Sequence, residues 1–89
     1  MKAIVSVVGL DQPGIVAAVS TVLAKHRVNI NDINQSYAHE FFTMILIVDF
    51  SQSDATLKQV NDELQAAGKQ LGLFVTVQHE EVFKAMHRI

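Results

Sequence analysis

GLDQPGIV, residues 9–16, is the stretch whose reading decides the fold. Two glycines, an acid, an amide and the only proline of the chain meet there, between the apolar run AIVSVV (3–8) and a segment with helical periodicity. Gly9 lets a strand turn sharply, and Gly14 lets the backbone come close to another group. Pro13 suits the first helical turn, where a missing N–H costs nothing. A helix starting near Pro13 leaves its first N–H groups without intrahelical partners, and such an end suits a carboxylate or a phosphate. Asp11 and Gln12 add side-chain contacts, or Asp11 caps the helix instead. A bare strand-to-helix turn needs the same glycines, so spacing leaves both readings open. No Gly-Lys-Ser/Thr follows, and the pattern is not GxGxxG.

Upstream of the turn, KAIVSVV (2–8) is rich in β-branched residues and predicts a strand. Downstream, Ile15, Ala18, Val19, Val22 and Leu23 form the stripe of an amphipathic helix. Lys25, His26 and Arg27 crowd its end, where positive charge suits the helix dipole. In VNINDINQSYAH (28–39), Val28 and Ile30 share a face and Ile33 is out of phase, so a bulge near Asn31–Asp32 is needed to restore alternation. Only His39-Glu40 separates that segment from FFTMILIVDF (41–50), which predicts an antiparallel hairpin. The second strand of the hairpin is apolar on both faces, with Phe42, Met44, Leu46 and Val48 on one and Ile45 and Ile47 on the other. Such a strand should be covered on both sides.

Ser51 to Asp54 offers caps for a second helix marked by Leu57, Val60, Leu64, Ala67 and Leu71, which Gly72 ends. LFVTVQH (73–79) reads as a last strand with Leu73, Val75 and Val77 on one face. EEVFKAMHRI (80–89) predicts a short helix with Val82, Phe83 and Met86 on one side and Glu80 placed to pair with Lys84. That tail is expected to seal the end of the sheet or a dimer. The alternative is an exposed patch of Phe83, Met86 and Ile89 for a partner protein.

The order strand–helix–strand–strand–helix–strand predicts an α+β, ferredoxin-like βαββαβ sandwich: a four-stranded antiparallel sheet with two helices on one face, and a short C-terminal helix. The other sheet face is left bare, although the doubly apolar strand 41–50 should not meet water. A second copy covers it most simply, so a homodimer is expected. Residues 1–89 make one domain, with a C-terminal extension from about residue 80. The chain is 49% hydrophobic and 18% charged, which is globular rather than disordered. Seven basic and nine acidic residues are well mixed without a Lys/Arg cluster, so no nucleic-acid partner is expected. The absence of cysteine removes disulfide scaffolds, thiolate zinc sites and thiol nucleophiles, and suits a reducing compartment. The first apolar run stops at Gly9 and Asp11, too short for a signal-peptide core, and no segment approaches a membrane span. The expected location is cytoplasmic, with no membrane partner.

Residues 7–33, VVGLDQPGIVAAVSTVLAKHRVNINDI, resemble the first half of an ACT domain. The likeness rests on the strand-ending Gly9, the Asp11-x-Pro13-Gly14 turn, the apolar helix after it and the Asn29-Ile30 pair opening the second strand. The βαββαβ order extends it across about 80 residues, nearly a whole small domain. The tail VQHEEVFKAMHRI (77–89) is similar to the ends of small stand-alone bacterial ACT proteins of unassigned function. The resemblance implies a regulatory sensor that binds an amino acid or similar small ligand at a homodimer interface, and it calls for no cofactor. Carried over residue by residue, ligand contacts fall on Asp11, Gln12, Gly14 and Ile15 on one side, with Asn29 and Ile30 on the other. Asn29 and Asn31 then bond an amino group or a side chain of the ligand, or else serve turn and bulge chemistry. ACT modules commonly regulate an attached catalytic domain and none lies within these 89 residues, which implies an unidentified protein partner. A ligand-free dimerisation or interaction module is the alternative reading.

A small enzyme is the third. The four histidines, His26, His39, His79 and His87, suit zinc or copper as imidazoles, but they form no HExxH and no i, i+4 pair, so no metal site is expected. The serines sit in no nucleophile elbow. A His39 acid/base pair with Asp11 or Asp32 is the remaining route to catalysis, and no catalytic residue is assigned.

Overall fold

Seven elements follow one another in a computed structural model that describes residues 1–86: β1 (Lys2–Leu10), α1 (Ile15–Lys25), β2 (Asn29–Ala38), β3 (Phe41–Asp49), α2 (Leu57–Gln70), β4 (Phe74–His79) and α3 (Glu80–Met86). The strands form one antiparallel sheet in the order β2-β3-β1-β4. α1 and α2 lie together on one face, so the ferredoxin-like reading holds. Alternation decides which side chains they cover. Val5 and Val7 of β1 and Met44, Leu46 and Val48 of β3 are fully buried against Leu23 of α1 and Val60 of α2.

The β2–β3 register slips between Ile30 and Asp32, the bulge that the sequence pattern requires. It brings Ile30, opposite Val48, and Ile33, opposite Leu46, to the same helix-covered face. His39 and Glu40 alone make the hairpin turn, with His39 at φ 58°. Both long helices end in the same motif, a left-handed residue with two backward bonds. After α1 it is Arg27, at φ 57°, with Arg27 N–H donating to Ala24 O (3.0 Å) and Val28 N–H to Leu23 O (2.9 Å). After α2 it is Gly72, with Leu73 N–H donating to Gly68 O at 2.8 Å.

Four expectations need correction. β1 does not stop at Gly9 but runs on to Leu10, paired with Phe41. Gly9 is the close-approach glycine, since a Cβ there would stand 2.5 Å from Leu73 Cδ2 and 3.3 Å from Leu73 Cα. Gly14 makes the turn instead, at φ 92°, with open space where a Cβ would point. Pro13 lies in the turn and not in the helix, because Gly14 is the N-cap of α1. The cap of α2 is Thr56 rather than a residue of 51–54. Its hydroxyl accepts from Gln59 N–H (3.1 Å), and Gln59 Oε1 accepts from Thr56 N–H (2.8 Å), a complete capping box.

The second sheet face is only partly bare. Ile4 points away from the core cluster and yet is buried, beside Gln78 in the register. Gln78 Nε2 meets Met86 Sδ at 3.2 Å, so α3 folds over this end of the face. Glu80 and Lys84 pair at 4.0 Å as their spacing predicts. Val82 and Met86 stay 50% and 64% exposed while Phe83 is half-buried, so only part of the expected apolar side of α3 is covered. His87 and Ile89 lie outside the described residues. Among the described residues, no helix is long and apolar enough to cross a membrane.

Candidate functional site

The turn after β1 is fixed from two sides. Asp11 N–H donates to Glu40 O (2.9 Å), tying it to the β2–β3 turn. Gln12 Nε2 donates to Leu71 O (2.7 Å) and Leu10 O (3.2 Å), tying it to the end of α2. Between these anchors the chain turns through Pro13 and Gly14 and enters α1. No side chain caps that helix, so Asp11 does not serve as its cap. The first intrahelical bond is Ala18 N–H to Gly14 O (2.9 Å), which leaves the N–H groups of Ile15, Val16 and Ala17 ahead of the ladder. α2, by contrast, satisfies its own first turn through Thr56 and Gln59.

A cleft opens beside this terminus. Asp11, Gln12, Gly14 and Ile15 form one wall, continued by Val16 and Ala17, while Gln35, Tyr37 and Phe42 form the other. Tyr37 packs edge-on against Phe42, with ring centroids 5.3 Å apart, and is 60% exposed. Among the described residues, Asp11 is the one charged side chain lining the cleft. Helix amides with a partial positive charge and a carboxylate a few residues away together suit a small ligand bearing both an anionic and a cationic group.

Asn29 and Ile30 are not in this cleft. They open β2, and the cleft uses its far end. Eight residues at about 3.3 Å each put roughly 25 Å between Asn29 and Tyr37, so one chain cannot bring both sets to one small ligand. Asn29 Nδ2 donates to Asn31 Oδ1 (2.8 Å), so the two asparagines hold each other across the bulge. Asn29 lines a separate polar cleft with Arg27, Asp49 and Gln52, and Ile30 packs against the core from β2. Asp49 Oδ1 accepts from Ser51 N–H (2.9 Å), and that bond holds its carboxyl below the usual range. Gln35 and Tyr37 escape the sequence reading, although the hairpin register contains the signal. A two-residue turn at 39–40 sets Tyr37 opposite Phe42, and the order of a ferredoxin-like sheet sets the start of β3 beside the end of β1.

Among the described residues, His26 and His79 have separate structural roles. His26 pairs with Glu63, which also takes Lys25 Nζ at 2.8 Å, so α1 and α2 are bridged there. His79 Nδ1 accepts from Glu81 N–H (3.1 Å) at the start of α3. Asp32 Oδ1 accepts from Ile33 N–H (2.9 Å), and among the described residues His39 forms no ion pair with it or with Asp11. No group of three or more metal-ligating side chains occurs among the described residues.

Comparison with known proteins agrees with this geometry. The family model of the ACT domain matches residues 2–78. A UPF0237 protein of Methanopyrus kandleri is 49% identical over 88 residues, spanning 99% of this chain and 98% of its own. Among solved structures, an ACT domain protein from Streptococcus pneumoniae is 39% identical with a TM-score of 0.81, covering 98% of both chains. The regulatory subunit of aspartate kinase from Thermus thermophilus, in ligand-free form, is 26% identical with a TM-score of 0.67 over 86% of this chain and 50% of that one.

Proposed function

This chain belongs to the ACT domain family, and from that premise we propose that it is a cytoplasmic regulatory sensor, not an enzyme, that binds an amino acid or similar small ligand at a homodimer interface. ACT domains are regulatory modules that bind small ligands, often amino acids. The observation that carries the reading is the cleft at residues 11–15, where an uncapped helix terminus and the carboxylate of Asp11 face Gln35 and Tyr37 across an open gap. A ligand carboxylate meets the amides after Gly14, and its ammonium group meets Asp11. The aspartate kinase neighbour, a regulatory subunit by its name, supports the regulatory role.

The second copy enters through β2. This strand lies at the sheet edge and is exposed along nearly its whole length. If it pairs antiparallel with the same edge of another chain, the partner subunit's Asn29 and Ile30 come level with Gln35 and Tyr37 and close the site. Occupancy then shifts the dimer only by the ligand's differential affinity for two arrangements, and a protein partner reads the shift.

The test is a thermal-shift screen against the twenty amino acids, followed by titration of wild type and Gly14→Asp. A ligand at a hundred times its dissociation constant adds about 2.7 kcal/mol, several degrees for a domain of this size. Gly14→Asp puts bulk and negative charge at the helix terminus and should abolish binding while the circular dichroism spectrum is retained. Unchanged affinity in the folded variant would sink the site assignment. One observation favours the ligand-free module: the amide nitrogens of Gln12 and Asn29 are already used within the chain. On that reading no amino acid moves the melting temperature.

A further inference from the structure

On the sheet face turned away from α1 and α2, alternation sets a polar row beside an apolar one. Asp32, Asn34 and Ser36 of β2 stand opposite Ile47, Ile45 and Thr43 of β3, and these six residues line a cavity of about 220 Å³. The bulge in β2 puts them there. Its slip between Ile30 and Asp32 turns Asp32, and with it Asn34 and Ser36, away from the helices. Ile47 is half-buried and stands opposite Ile4, where α3 folds over the face, so the apolar floor is best covered at its Asp32 end. Asp32 Oδ1 accepts from Ile33 N–H, and among the described residues Asp32 forms no ion pair. Among the same residues the side chains of Asn34, Ser36 and Thr43 have no hydrogen-bond partner.

We infer that this groove is a small-ligand site separate from the cleft beside α1, and that it takes a small aliphatic amine carrying no carboxylate. Charge sets the class. Asp32 is the one charged side chain lining the groove among the described residues, so an ammonium group meets a carboxylate there and a ligand carboxylate meets no cation. The next row along the face sets Lys2 opposite Asp49, where that cation already has a carboxylate beside it. A free amino acid is thereby disfavoured. The cleft at residues 11–15 differs, since its helix amides stand ready for a carboxylate. Shape sets the body of the ligand. Ile47 and Ile45 lie about 6.6 Å apart along β3, a floor that a chain of about five carbons spans from a nitrogen at Asp32. Facing Cβ atoms of the two rows are about 5 Å apart, so one ligand touches both. Ser36 and Thr43 finish the groove with hydroxyls and offer no second carboxylate to a diamine. The volume lies below the roughly 300–1,000 Å³ of sites for drug-sized molecules, which holds the occupant to a small one.

The experiment is a titration of the full chain with pentylamine at low salt, followed by amide-resolved NMR and repeated on Asp32→Asn. Neutral pentanol and norleucine, which adds a carboxylate to the same amine, are titrated beside it. Asparagine keeps the size of Asp32 and an oxygen for Ile33 N–H, so the variant should hold the wild-type spectrum outside its own neighbourhood. The expected result is saturable shifts confined to the amides of residues 32–36 and 43–47. The dissociation constant should rise about 5-fold in Asp32→Asn, and be about 5-fold higher for pentanol on wild type, the upper end of what one exposed ion pair contributes. Norleucine should leave those amides unmoved. Equal affinity for pentylamine and pentanol, or equal affinity in wild type and Asp32→Asn, would overturn the inference by reducing the groove to an apolar surface. Shifts that are absent or scattered over the chain would overturn it too, and norleucine bound there as tightly as pentylamine would overturn the class of ligand. Shifts at residues 14–17 on adding an amino acid report the cleft beside α1 in the same spectra, so the two sites stand or fall separately.

Discussion

Gly9 and Gly14 flank the decisive turn for different physical reasons, and a substitution cycle separates them. At Gly9 the backbone is an ordinary strand, and the obstacle is Leu73, with Cδ2 2.5 Å and Cα 3.3 Å from an added Cβ. Gly9→Ala therefore overpacks the junction of β1 and β4, at a cost of about 1–3 kcal/mol. Loss of chain freedom in the unfolded state returns about 0.4–1 kcal/mol. The net loss of about 0.5–2 kcal/mol corresponds to a melting temperature lower by several degrees, at about 4–8 °C per kcal/mol. At Gly14 nothing stands within 4 Å of the added Cβ, and the cost is the left-handed backbone alone, about 1–2 kcal/mol. Leu73→Ala removes the obstructing Cδ2 and is itself expensive, since Leu73 is buried and such truncations cost about 2–5 kcal/mol. In the double variant it should recover much of the Gly9→Ala loss, a coupling of about 1 kcal/mol. It should add independently to Gly14→Ala, within about 0.5 kcal/mol. Rescue is incomplete because Leu73 Cα stays at 3.3 Å. Urea denaturation followed by circular dichroism measures wild type, the three single variants and the two double variants. Gly9→Ala as stable as wild type, or equal coupling of Leu73→Ala to both glycine variants, would refute the assignment.

Thr56→Ala breaks both bonds of the α2 capping box and should cost about 1 kcal/mol, with Thr56→Ser close to wild type by the same denaturation assay. Glu63 is held below the usual carboxylate range by its hydrogen bond from Lys25 and then by His26. A carboxylate with a lowered folded pKa contributes stability in full above its unfolded value, about 4.3, and loses that contribution as pH falls through the folded value. The difference in urea midpoint between wild type and Glu63→Gln should therefore shrink from pH 7 to pH 3. Added salt should shrink it further because the pair is exposed; a difference that grows on acidification would contradict the pairing.

The fold was legible wherever periodicity and chain connectivity spoke together. Ile15, Val19 and Leu23 announce α1, and the phase break between Ile30 and Ile33 announces the bulge before any register is known. What escaped the sequence were properties of the partner surface. Whether Gly9 or Gly14 is the crowded glycine depends on Leu73, more than sixty residues away in the chain. The cap of α2 was misplaced because Ser51, Ser53 and Asp54 are all competent caps. Thr56 wins only because the loop is pinned by Ser53 N–H to Phe50 O (2.9 Å) and by Ala55 N–H to Ser53 Oγ (3.1 Å), which delays the helix to Leu57.

The candidate site divides along the same line. The loop half, Asp11 to Ile15, is local in sequence and was legible from one short motif. The other half is set by the direction of β2. An antiparallel hairpin brings the end of that strand, not its beginning, to the end of β1, so Gln35 and Tyr37 face the loop and Asn29 stands at the opposite end. Asn29 and Ile30 can take part in a site at residues 11–15 only if they come from another chain. The ligand reading and the homodimer reading are thus coupled through a single strand. A variant that disrupts the β2 edge without unfolding the domain should weaken ligand binding as well as association. If Ile33→Pro, which removes an outward N–H bonded only to Asp32 Oδ1, lowers the mass and leaves amino-acid affinity unchanged, the site is complete within one chain and Gln35 and Tyr37 are its second wall. If affinity falls with mass, the partner subunit's Asn29 becomes the residue to substitute next.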